Sequence, residues 1–155
     1  MKENQQSASR INLYIRRDNI FMNSYEQLRT VTIDDLKERK LHIQLEGERG
    51  QDEGVLTTRD FYLQLTREMF ESKHDLFISS NNGSTYYPNP KSYGDEHLKQ
   101  FQFVGRIMGK ALIDECVVEC NFARSLYKIM TGEDLNIFDS EDFDNKLFEC
   151  QKWCL

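Results

Sequence analysis

Apolar residues recur along this chain with two different periods. Leu41, Ile43 and Leu45 alternate with His42, Gln44 and Glu46, the pattern of a strand with one buried face. Phe61, Leu65 and Met69 step by four with Tyr62 alongside, which predicts a helix over 58–71 capped by Thr57 or Thr58. The longest helical pattern covers 95–115, where Leu98, Phe101, Val104, Met108, Ala111 and Leu112 form one stripe, with Ile107 beside it. That stripe reads as core. Shorter helices are expected from Ser24, which stands three residues before Gln27 as in a capping box, through Leu28, and again over 32–39. Two more are expected over 122–130, stopped by Thr131-Gly132, and over 140–153. Segments 76–79 and 84–87 read as strands joined by Asn81-Asn82-Gly83, because Asn and Gly tolerate positive φ, and Pro88-Asn89-Pro90 ends that hairpin. The predicted class is α+β, mainly helical with a few short antiparallel strands.

Gly47, Gly50 and Gly54 punctuate a loop, the only two prolines are Pro88 and Pro90, and neither a linker nor an internal repeat divides the chain. With 155 residues, one domain over 11–155 is expected behind a disordered polar tail over 1–10. The net charge of −6 argues against a general nucleic-acid binder. A 12% aromatic content alongside 30% charged residues points to a folded core. No stretch is apolar enough to span a membrane, and the first residues lack the apolar core of a signal peptide. A cytoplasmic or nuclear address and reduced cysteines are the expectation.

Candidate chemistry adds little. Cys116/Cys120 and Cys150/Cys154 are pairs at i, i+4. Disulfides between helices or a zinc site are conceivable, but zinc favours Cys-x-x-Cys spacing, so four small apolar thiols, partly buried, are the simpler reading. No His neighbours any of them to make a nucleophile. His42, His74 and His97 are scattered, with solvent-facing or capping roles expected. The acidic run Asp139-Ser140-Glu141-Asp142-Phe143-Asp144 fails as a calcium loop, since Phe143 falls on a ligand position and Asp144 where glycine is needed. It reads instead as negative charge near a helix N-terminus. Gly105 and Gly109 have small-xxx-small spacing, which suggests another element packed closely against them. The glycine loop lacks the Gly-Lys-Ser/Thr of a phosphate cradle. No metal, cofactor or catalytic set follows from spacing.

Ile15-Arg16-Arg17-Asp18-Asn19-Ile20-Phe21 with Asn23-Ser24-Tyr25, followed by Leu41-His42-Ile43-Gln44-Leu45-Glu46-Gly47-Glu48, resembles the opening, first strand and glycine loop of the HECT domain of E3 ubiquitin ligases. Thr58-Arg59-Asp60-Phe61-Tyr62 and Arg67-Glu68-Met69-Phe70 resemble the helix that follows. Pro88-Asn89-Pro90, Glu96-His97-Leu98 and the run from Phe101 through Gly105-Arg106-Ile107-Met108-Gly109 to Leu112 resemble its most recognisable helix, and Phe122 to Lys128 continues in register. The resemblance implies most of the large, mainly helical part of the N-lobe, ending before the E2-docking part and the C-lobe. It implies ubiquitin, ubiquitin-charged E2, substrate proteins and the C-lobe as partners in a complete enzyme, without nucleic acid, membrane or cofactor. The family's catalytic cysteine lies near Thr-Cys-x-Asn, which none of the four cysteines here matches. No catalytic residue is therefore expected, and the chain alone is expected to be inactive. An alternative is a non-catalytic ubiquitin- or partner-binding remnant. Some relatives bind a second ubiquitin on the N-lobe hairpin through a tyrosine after Leu-Phe. Ser79 takes that place, and Leu76, Phe77, Tyr86 and Tyr87 are the remaining candidate contacts, with ordinary strand packing as the simpler role. Leu147, Phe148 and Trp153 are expected to be exposed by the absent parts, which predicts marginal stability or self-association.

Overall fold

The computed structural model describes residues 10–46, 55–80, 83–141 and 145–153. The chain forms two compact units, one from residues 1–69 with 94–119 and the other from 70–93 with 120–155.

Among its described residues the first unit holds a three-stranded sheet and four helices. Strand β1 (Arg10–Ile15) lies parallel to β2 (Lys40–Leu45), with Arg10 opposite Lys40 and Ile15 opposite Leu45. Strand β3 (Val55–Leu56) adds antiparallel on the other side of β2. The parallel pair adds to the few short antiparallel strands expected. Its cause is the connection through two helices, α1 (Ile20–Leu28) and α2 (Ile33–Glu38), which returns the chain in the same direction. β2 has the predicted alternation, with Leu41, Ile43 and Leu45 buried. Leu13 and Ile15 of β1 face the same core.

Helix α1 starts four residues before the expected position. Ser24 is not its cap; it lies inside the helix, and its hydroxyl donates to the Ile20 carbonyl at 2.7 Å. The N-terminus is capped from elsewhere, because Glu68 Oε2 accepts the Phe21 N–H at 2.9 Å. Gln27, the other half of the expected box, instead covers the outer edge of β1. Its Oε1 accepts from Tyr14 N at 3.0 Å and its Nε2 donates to Tyr14 O at 2.7 Å. This occupies backbone groups that an open edge would present for further strand pairing.

Helices α2 and α3 (Thr58–Met69) follow the sequence closely. Thr32 and Thr57 accept the N–H of Asp35 and Asp60 through their hydroxyls. Phe61, Tyr62, Leu65 and Met69 are all buried. Helix α4 (Asp95–Ile113) has the predicted length but a rotated face. Gln100, Phe103, Val104, Ile107, Lys110 and Ala111 are buried, whereas Leu98 is 55% and Leu112 76% exposed. Phe101 and Met108 are half-buried. The decisive residue is Phe103, whose ring meets Phe21 and Tyr25 edge-on, each at 5.6 Å. A Cβ at Gly105 or Gly109 would meet nothing within 4 Å, so neither glycine is there for close packing.

Among its described residues the second unit holds a pair of strands, two 3-10 turns and two helices. Strands β4 (Phe77–Ser79) and β5 (Tyr86–Pro88) pair antiparallel, with Phe77 opposite Pro88. Asn81 and Asn82 lie outside the described residues; Gly83, next in the turn, has φ 69°. Helix α5 (Arg124–Thr131) stops at Gly132, φ 75°, as expected. The last helix, α6 (Asn145–Trp153), begins later than predicted, because Ile137–Ser140 forms a separate 3-10 turn. Phe148 is buried and packs 6.0 Å from Phe138, contrary to the expected exposure, whereas Trp153 is 88% exposed. The side chain of Leu147, the glycine loop 47–54 and the tail 1–9 lie outside the described residues.

Candidate functional site

The four residues singled out on the hairpin do not share one environment. Leu76 and Phe77 are buried, Tyr86 and Tyr87 half-buried. Phe77 sits in a ring cluster, 5.1 Å from Phe70 and 5.4 Å from Phe122. Tyr86 stacks on Phe70 at 4.4 Å. Its backbone also ties in segment 121–123: Tyr86 N donates to Asn121 O at 2.7 Å and Ala123 N donates to Tyr86 O at 2.8 Å. The outward position next to Phe77 is Ile78, opposite Tyr87, and Ser79 is exposed.

The base of the hairpin is fixed by Asn89, the middle residue of the Pro88-Asn89-Pro90 segment that ends it. Buried between two prolines, its amide donates to Asp75 O at 3.1 Å and to Asp75 Oδ1 at 2.7 Å. Asp75 adopts a left-handed φ of 55°, which its side chain tolerates better than most, and Ser92 Oγ donates to the same Asp75 carbonyl. The signal was there in the sequence, since an Asn between prolines is a restricted turn, but its partner lies fourteen residues away.

The thiols are placed without activation. Cys116 and Cys120 are half-buried, Cys150 is exposed, and all three are free; Cys154 lies outside the described residues. Burial pushes the Cys120 thiol up to about 11. Burial and the neighbouring Asp114 charge also raise Cys116, whose Sγ donates to the Asp114 carbonyl at 3.5 Å. Both hold fewer thiolates at neutral pH than an ordinary cysteine, the opposite of what a nucleophile requires. Among the described residues no three His, Cys, Asp or Glu side chains converge as metal ligands.

Among the described residues two ion pairs are largely buried. Lys110, 2% exposed, donates to Asp114 Oδ1 at 2.7 Å, and Tyr62 donates to the other oxygen of that carboxylate at 2.8 Å. Burial, then the Asp114 carboxylate, raises the Tyr62 phenol well above its ordinary value. In the second unit Asp139 accepts from Lys128 at 2.9 Å and from the Asn136 N–H at 2.7 Å. The backbone N–H and then the Lys128 ammonium hold its carboxyl below the usual range. Asp139 is therefore buried and partnered as the third residue of a 3-10 turn, closing a capping box with Asn136, rather than standing at the N-terminus of α6; residues 142–144 of the acidic run lie outside the described residues.

The match to known proteins decides the family. Residues 63–155 match the HECT-domain (ubiquitin-transferase) family. The chain belongs to the HECT family. It is 35% identical to E3 ubiquitin-protein ligase TOM1 of Saccharomyces cerevisiae, over 100% of this chain and 5% of that protein. It is 38% identical to E3 ubiquitin-protein ligase UPL1 of Arabidopsis thaliana, over 99% of this chain and 4% of that protein. Identity reaches 40% with E3 ubiquitin-protein ligase HUWE1 of Mus musculus, over 88% of this chain and 3% of the relative. The chain thus spans no more than 5% of the length of these relatives. As a HECT chain it is the α+β assembly that the sequence predicted, and among the described residues no helix is long and apolar enough to cross a membrane.

Proposed function

We propose that this HECT chain is a scaffold part of a ubiquitin-transfer domain, serving E2-to-E3 transthiolation in a complete enzyme without passing ubiquitin through its own thiols. The family match over residues 63–155 supports the reading. Transthiolation needs a thiolate that attacks the E2 thioester carbonyl, forms a new carbon–sulfur bond and expels the E2 thiol. The raised Cys116 and Cys120 thiols suit packing, not that attack. Ubiquitin, charged E2 and substrate proteins are partners of the complete enzyme on this reading, and its address is cytoplasm or nucleus.

The test is direct. The chain is incubated with E1, E2, ubiquitin and ATP and resolved without reductant. We expect the E2 thioester to persist and no reductant-sensitive ubiquitin adduct on this chain. An adduct that reduction removes, and that a Cys→Ser variant abolishes, overturns the reading. Ubiquitin contact, where present, falls in this reading on the accessible edges of Tyr86 and Tyr87, with Leu76 and Phe77 supporting them from the core. A titration of labelled ubiquitin should show shifts that Tyr87→Ala removes; an unchanged spectrum counts against the contact.

A further inference from the structure

One cleft of the first unit lies outside everything assigned so far. It encloses about 310 Å³ and is lined by Tyr25, Arg29, Thr30, Lys99, Gln102, Phe103 and Arg106. Three of those residues are cationic and none is acidic, on a chain whose net charge is −6. The cations come from two elements. Arg29 and Thr30 follow the last turn of α1; Lys99, Gln102 and Arg106 share one face of α4 at helical spacing. Arg106 is anchored, since its guanidinium donates to the Arg29 and Val31 carbonyls and so satisfies acceptors left over at the end of α1. Its Nε–H is buried, with no acceptor among the described residues. Arg29 and Lys99 are exposed and place two further charges at the rim.

An exposed acidic side chain of the same chain already stands beside the cleft. Glu96 accepts from the Tyr25 hydroxyl at 2.8 Å but stands 3.8 Å from the Lys99 ammonium, too far to saturate it. The Phe103 and Tyr25 rings form the inner wall of the cleft but are almost wholly buried, so the accessible lining is the cations with Thr30 and Gln102. A bare anion would leave most of this volume unfilled. A carboxylate on a short aliphatic stem would reach the cations and fill more of it.

We propose that this cleft binds the acidic side chains of a polypeptide segment, held by Arg29, Lys99 and Arg106. Affinity is electrostatic and falls with added salt, because the rim charges are exposed.

The experiment uses the full chain, labelled with nitrogen-15. Hexaglutamate peptide is titrated in one arm and inorganic phosphate at matched ionic strength in the other. Hexaglutamate should shift the amides of Thr30, Lys99 and Gln102 and the Arg106 Nε–H. Phosphate should leave them in place. The double variant Arg29→Gln, Lys99→Gln, exposed at both sites, should weaken hexaglutamate binding about tenfold or more, as expected for losing two charge contacts. Arg67→Gln, whose guanidinium pairs with Glu119 elsewhere, should not. Equal shifts with phosphate overturn the proposal in favour of a simple anion site. Unchanged affinity in the double variant, with its fold retained by amide dispersion, also overturns it, as does the absence of any shift with hexaglutamate.

Discussion

At the scale of single residues, charge placement governs what the chain tolerates. Val104 is buried in α4, and Val104→Asp would bury an unpaired carboxylate at a cost of several kcal/mol, read as a large fall in melting temperature. Asp114→Ala should be nearly as severe, about 3–5 kcal/mol, because it strands the buried Lys110 ammonium. Substituting both, Lys110→Met with Asp114→Ala, should recover most of the loss; failure to recover would mean that the Tyr62 hydrogen bond dominates. Asp139 contributes to the acid sensitivity of the second unit. Its native pKa is depressed, so its contribution is fully present above the ordinary aspartate value of 3.8 and is lost as pH falls through the lower native value. Denaturant midpoints should therefore fall below about pH 4, and Asp139→Asn should reduce that fall. Cys120 works at the other end. Its raised pKa favours the folded state below 9.0, and that contribution disappears as pH rises through about 11. Alkylation at neutral pH should accordingly label exposed Cys150 well before Cys120.

At the scale of elements, the sequence was legible wherever one segment decided its own structure. Thr32 and Thr57 cap their helices through local hydrogen bonds, and β2 alternates because one face is buried. It was not legible where a distant residue decided the outcome. The cap of α1 comes from Glu68, forty-seven residues on, so Ser24 looked like the better start. The α4 face was misjudged because Leu98 and Leu112 are as apolar as Phe103, and only the rings of Phe21 and Tyr25 select which side turns inward. β1 was missed because six residues with two charged or amide side chains do not stand out until a parallel partner supplies their hydrogen bonds. The hairpin strands form close to where the sequence pattern places them, yet only burial separates the half-buried Tyr86 and Tyr87 from Leu76 and Phe77. Gly105 gives a test at this scale. It is exposed in mid-helix with open space where a Cβ would stand, so Gly105→Ala should stabilise the chain by about 0.5–1 kcal/mol in chemical denaturation. A loss of stability would show that the close packing inferred from its spacing exists after all.

At the scale of the whole molecule, each unit is built from two separated stretches. The first needs residues up to 69 and then 94–119; the second needs 70–93 and then the segment from 120 onward. Neither corresponds to one continuous piece, so a cut after Met69 should leave α1 without the Phe103 ring and yield a protein lacking sharp amide dispersion. This interleaving has a consequence during synthesis. A ribosome that has made β1, both short helices, β2 and α3 has still not made α4, which supplies the rest of that core. It must add about fifty more residues, roughly 3–10 s at ordinary elongation rates of about 5–20 residues per second. Over that interval the apolar faces of β2 and α3 leave the tunnel before their partner exists, so the nascent chain should depend on chaperones until Glu119 emerges.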